Sequence, residues 1–194
     1  MKKFLTAFFI YAALVLADGG LTLYNTPDLA REGNLIVSRL GLGWAGLIIA
    51  NLAFLAVMFV ISRYAFYKYQ TFVADVPDMK AYISQMFYNR PDRFKWFFYK
   101  LPENRKPALA VCCFAIYFGV LAARGTAVSE WIAVTLGADM EGYFDFRNAF
   151  SFGRLDIAVG VLACIIMCFV WFVIEYKKNR KMIKRKETES LADS

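Results

Sequence analysis

The sequence predicts an all-α polytopic membrane protein: four transmembrane helices in a single domain, residues 1–194, with both termini in the cytoplasm. Three observations carry that expectation. Four apolar runs approach the roughly 20 residues that cross a hydrocarbon core about 30 Å thick at about 1.5 Å of rise per residue. Hydrophobic residues make up 59% of the chain and mean hydropathy is +0.43, above the roughly 45–50% apolar content of soluble domains. Finally, 18 of the 23 lysines and arginines fall into the segments that alternate to one side.

The first span covers residues 4–24 and is interrupted only by Asp18 and the pair Gly19-Gly20. The second covers 41–61, with Asn51 its one strongly polar residue. The third opens at the helix-initiating Pro107 and covers 107–123. The fourth covers 155–176, with Asp156 and Glu175 at its ends. Backbone donors and acceptors in lipid must be satisfied within the segment, so all four are expected as helices rather than strands. No Gly/Ser-rich or Pro-rich linker sets off a soluble module, and no internal repeat is present.

The first segment also carries the ingredients of a signal peptide: Lys2 and Lys3, an apolar run to Leu16, and Ala17 at the cleavage position. Cleavage would leave three spans with Asp18 at the new N-terminus. Against it, apolar character resumes from Leu21 to Tyr24.

Orientation follows from the basic residues. With the N-terminus inside, the inner side holds Lys2, Lys3, Arg63, eight basic residues in the loop 62–106 beyond Arg63, and seven in the tail 177–194. The outer side keeps Arg31, Arg39, Arg124, Arg147 and Arg154, while the acidic residues divide eight and eight. The expected topology is therefore N-in, C-in, in a bacterial cytoplasmic membrane.

The cytoplasmic loop 62–106 contains 13 of the 34 aromatic residues beside its basic ones. Rings settle at headgroup level and Lys and Arg reach anionic phosphates, so the loop reads as amphipathic segments at 79–88 and 93–99 on the inner leaflet. Its alternative is a compact helical cap with its aromatics against the spans. The basic tail anchors topology and attracts anionic lipid; nucleic acid is not an expected partner, whereas a partner membrane protein is open.

Chemistry is narrowed by what the composition lacks. There is no histidine, which removes His-activated nucleophiles and His-ligated zinc or haem. Cys112, Cys113, Cys164 and Cys168 all lie in apolar spans, where a thiol behaves as a small hydrophobe. Neither a metal nor a cofactor is expected.

The candidate ligand-binding residues are Asp18, Thr22, Glu32, Asn34, Arg154 and Asp156. Asp18 lies about 21 Å along the first helix from Phe4, inside the outer half of a membrane, where an ionisable group is a functional-site hypothesis by default. Thr22 follows one turn later on the same face. Glu32 and Asn34 lead back to the same rim, and Arg154 and Asp156 stand at the outer end of the fourth span. A second reading of Asp18 is structural: pairing with Arg124 or Arg154, or capping a helix break at Gly19-Gly20. Catalysis would use paired carboxylates on a hard divalent cation.

Asp18-x-x-x-Thr22 followed by Glu32-x-Asn34 resembles a family of small bacterial integral-membrane proteins, a domain of unknown function whose Glu-x-Asn is often followed by proline; Leu35 stands there here. The likeness covers the first third of the chain and implies a multi-span inner-membrane protein without implying a substrate. Asp18-Gly19 and Ala30-Arg31 do not make the metal motif of the CDP-alcohol phosphotransferases, because Ala30 follows Gly19 by eleven positions and the two later aspartates of that motif are absent.

The external loop 124–154 holds an apolar part, 126–136, suited to the interface or to extending the third helix, and an acidic, Phe-rich part, 139–152. The latter reads as an aromatic lid over the outer rim; Glu130, Asp139, Glu141 and Asp145 lack EF-hand spacing for Ca²⁺. The function expected is a non-enzymatic binding or accessory component with a polar site in its outer half. Its alternatives are a membrane-embedded enzyme or small transporter acting on an ion or lipid headgroup through Asp18 and Glu32, and a scaffold for a partner membrane protein.

Overall fold

A computed structural model describes residues 2–29, 41–138, 141–143, 145 and 154–192. The described residues are helical with no strand: α1 (Lys2–Asn25), α2 (Gly43–Arg63), a π-helical turn (Tyr64–Lys68), α3 (Met79–Tyr88), a 3₁₀ turn (Phe94–Phe98), α4 (Arg105–Thr135) and α5 (Leu155–Ala192). Four of them, α1, α2, α4 and α5, are long and apolar enough to cross a membrane.

Their apolar side chains point outward as well as inward. Ile49, Val60, Leu162 and Phe169 are all more than half exposed, the pattern of helices bathed in hydrocarbon rather than water. Gly19-Gly20 leaves α1 unbroken. The third helix outruns the apolar stretch that announces it: Arg124 stands inside α4, which continues to Thr135. Likewise α5 carries the basic tail as one continuous helix to Ala192, about 57 Å in all.

Helices α1, α2 and α4 enclose a small core of Ala7, Tyr11, Val15, Met58 and Tyr117. Phe4 and Phe8 of α1 meet Phe59 near the end of α2 edge-on at 5.1 and 5.3 Å, so these two run antiparallel. The π-turn after α2 carries Phe66 onto Phe114, Tyr117 and Phe118 of α4. Such a turn inserts one residue per coil and re-aims the side chains beyond it.

Helix α5 stands outside this trio. It packs along α4 and against α3, and among the described residues its backbone does not approach α1 or α2. The α4/α5 contact is unusually close. A Cβ at Gly119 would run into Cys164 Sγ and lie 2.8 Å from the Gly160 carbonyl oxygen; one at Gly160 would lie 2.9 Å from the Gly119 carbonyl oxygen and 3.0 Å from Ala123 Cβ. Gly119-x-x-x-Ala123 thus faces Gly160-x-x-x-Cys164, a small-residue seam that lets helices touch backbone to backbone.

At the end bearing both termini, the segment 64–104 folds back on the bundle. Asp78 caps α3 by accepting from the Ala81 amide at 2.8 Å. Asn89 ends the helix in the left-handed conformation, φ 55°. Seven of the ten residues of α3 are buried, with Phe87 against Phe172 of α5 and neighbours at Ala110, Val111 and Phe114 of α4. In this structure α3 is a cap held against two spans.

The seam yields a test. Because the atoms opposing Gly119 include backbone, Gly119→Ala is expected to cost about 1–3 kcal/mol. Gly125→Ala on the same helix, with open space around it, is expected to be neutral or to stabilise by up to about 1 kcal/mol. Thermal unfolding in detergent compares the two; equal midpoints would remove the close contact.

Candidate functional site

Asp18 does not stand alone on α1. Arg124 of α4 reaches across with Nη1 to its Oδ2, in an ion pair whose side chains are 20% and 15% exposed. The second arm of the same guanidinium, Nη2, donates to Asn51 Oδ1 of α2 at 2.9 Å. Asn51 keeps its amide in that orientation by donating Nδ2 to the Leu47 carbonyl one turn back, at 3.1 Å. Tyr11, two turns before Asp18 on α1, is fully buried, and its hydroxyl has no hydrogen-bond partner among the described residues. One cation therefore ties three helices.

The α1/α4 contact is polar at two other heights. Tyr117 donates its hydroxyl to the Ala7 carbonyl at 2.8 Å, and Asn25 Nδ2 donates to Thr135 Oγ1 at 2.8 Å. These pairs are separated in sequence by 110 residues, and Asp18 and Arg124 by 106. A near-constant offset means parallel helices climbing together, with bonds near the bottom, middle and top.

Of the other candidate residues, Thr22 is buried, 2% exposed, one turn beyond Asp18, and its carbonyl receives the Thr26 amide at 2.9 Å. Arg154 pairs with Asp156 through Nε and Nη2 at 3.2 and 3.1 Å. Glu32 and Asn34 lie outside the described residues, as does most of the lid 139–152. From that region Tyr143 donates its hydroxyl to Glu130 Oε1 at 2.5 Å. Among the described residues, no three Asp, Glu or Cys side chains gather as a metal site.

A second buried polar group lies at the opposite end of the bundle, made by Glu175, which the sequence marks only as the end of the fourth span, and by Asn179, which it does not single out. Asn179 of α5, fully buried, accepts from the Ala74 amide at 3.0 Å and donates to the Ala74 carbonyl at 2.9 Å. That two-bond clamp holds the extended strap 69–78 on α5. One turn earlier Glu175, 1% exposed, accepts from Lys178 at 2.5 Å through Oε1, while Oε2 has no hydrogen-bond partner. Burial above all pushes the Tyr69 and Tyr82 phenols far above their usual range near 10; Glu175 adds to this at Tyr69, and Tyr69 and then Glu175 add to it at Tyr82. Tyr82 donates to the Phe72 carbonyl at 2.8 Å, so the neutral phenol is the form that fits. An i, i+4 pair of polar residues, Glu175 and Asn179, within a basic tail was the available signal.

The fold and the clusters define a helical protein with four membrane-length helices. No family model, curated protein or solved structure matches the chain.

Two measurements follow. Removing one member of the Asp18–Arg124 pair leaves a buried charge uncompensated, so Asp18→Asn and Arg124→Gln are each expected to cost about 3–5 kcal/mol, and the double variant much less than their sum. A thermal-unfolding cycle in detergent reads the coupling, and strict additivity would dissolve it. For the strap, folding favours the protonated phenols of Tyr69 and Tyr82. That stability is complete below the ordinary tyrosine range and is lost as pH rises above about 10. Tyr82→Phe is expected to shift alkaline unfolding, followed by phenolate absorbance, towards higher pH.

Proposed function

We propose that this chain is a non-enzymatic integral-membrane binding or accessory component whose outer-half polar cluster fixes the register of three spans. The observation that supports it most is the double engagement of Arg124. Asp18 and Asn51 have their charge and hydrogen-bonding needs met from within the bundle, as an architectural group requires. The basic-residue asymmetry supports N-in, C-in orientation in a bacterial cytoplasmic membrane, with the cap and basic tail among anionic inner-leaflet headgroups. The likeness of Asp18, Thr22, Glu32 and Asn34 to a bacterial membrane family supports the same location.

An accessory role requires a partner membrane protein. In vivo crosslinking is expected to recover a stoichiometric companion with the parent chain and, equally, with the charge-free Asp18→Asn/Arg124→Gln double variant. A transporter or enzyme working through the Asp18 carboxylate, with Glu32, predicts the opposite: the double variant folds yet loses function as fully as Asp18→Asn. Reporter fusions to the lysine-rich tail check the orientation, and an external tail would sink it.

A further inference from the structure

The hairpin between α3 and α4 holds out a large apolar tip on a rigid base. Phe98, Tyr99 and Leu101 are 76%, 74% and 87% exposed. Yet their backbone is firmly fastened. The Glu103 and Asn104 amides both donate to the Phe87 carbonyl at 3.0 Å, and the buried Tyr88 donates its hydroxyl to the Lys100 carbonyl at 2.7 Å. Trp96 lies beneath two cations, with Lys100 Nζ 3.8 Å and the Arg93 guanidinium carbon 5.1 Å from its ring centre. Phe97 packs on both Phe87 and Phe172, anchoring the turn to α5.

The position of the tip names its surroundings. Leu101 precedes Arg105, the first residue of a membrane-length helix, by four residues, so the tip stands where hydrocarbon gives way to water. Lys95 and Lys100 bracket Phe98 and Tyr99, and Arg105 and Lys106 follow directly. Aromatic and aliphatic side chains ringed by cations complement the acyl boundary and phosphates of an anionic leaflet.

We infer that Phe98, Tyr99 and Leu101 form an interfacial wedge, inserted into the leaflet on the basic side and held there by anionic headgroups at Lys95, Arg105 and Lys106. This rests on the membrane reading above and adds the residues that set depth. Phe94 and Phe97, stacked at 6.2 Å behind the tip, keep it from folding back.

A benzophenone amino acid incorporated at position 98, and separately at position 166, tests the wedge in nanodiscs of mixed phosphatidylglycerol and phosphatidylcholine. Ile166 lies on the exposed apolar face of α5 and reports the membrane reading itself. Lipid adducts at both positions are expected, with those at 98 reduced several-fold by Lys95→Gln/Arg105→Gln/Lys106→Gln or by phosphatidylcholine alone. Adducts at 166 but none at 98, or protein adducts at 98 in cells, would overturn the wedge while leaving the spans. Adducts at 98 that ignore both the basic residues and lipid charge would overturn the headgroup contact. Failure at 166 would overturn the membrane reading.

Discussion

A guanidinium in the middle of an apolar helix dictates much of this architecture. Arg124 is largely withdrawn from solvent, its side chain 20% exposed, so its donors are met by neighbouring helices. Asp18 supplies the opposite charge and Asn51 a neutral acceptor, one from each of the two helices that share its core. Because both are fixed on rigid helices, meeting them sets height and rotation together. Tyr117–Ala7 and Asn25–Thr135 then fall into line on either side, which is why the same offset recurs along α1 and α4.

The fourth long helix is joined by different physics. Between α4 and α5 the close contact is made by small residues: Gly119 and Gly160 bring backbone against backbone, and Cys164 donates its thiol to the Ala115 carbonyl at 3.3 Å. Association in lipid gains nothing from moving apolar surface out of lipid, so close packing of small residues has to carry it. The cap adds a second attachment. Trp171 and Phe172 of α5 share a cluster with Tyr82, Phe87 and Tyr88, so the segment 64–104 fastens α5 at the end where its own seam has finished.

Much of this was legible in the sequence and some was not, for reasons that differ by residue. Hydropathy marks four long helices because spanning lipid demands length and apolarity together. It marks their ends less sharply: 126–136 was suited either to the interface or to extending the third helix, and it continues α4 to Thr135 because an extended helix meets its own backbone bonds. Asp18 stands out by its charge, and pairing with Arg124 was one of its two structural readings. The choice of Arg124, with Asn51 as the third member, needed the helix packing to be known. The seam at Gly119 and Gly160 was written as small-x-x-x-small spacing in two spans, a signal visible only once those spans are set side by side. Asn179 was hidden among basic neighbours, since its burial depends on a strap more than 100 residues away.

Two acids withdrawn from solvent to different degrees, the Asp18 side chain at 15% and that of Glu175 at 1% exposed, show why burial alone does not define a role. Asp18 meets a cation from another helix, so its charge links elements and its loss is felt across the trio. Glu175 meets only Lys178, three residues along its own helix, whose side chain is half exposed. That pair links nothing, and the clamp on the strap is made by neutral Asn179 instead. Burial, more than any neighbouring charge, favours the protonated forms of Tyr69 and Tyr82, and the Tyr82 phenol donates to the Phe72 carbonyl within the strap. At one end of the bundle an ion pair fixes helix against helix; at the other a neutral amide clamps a loop onto its helix.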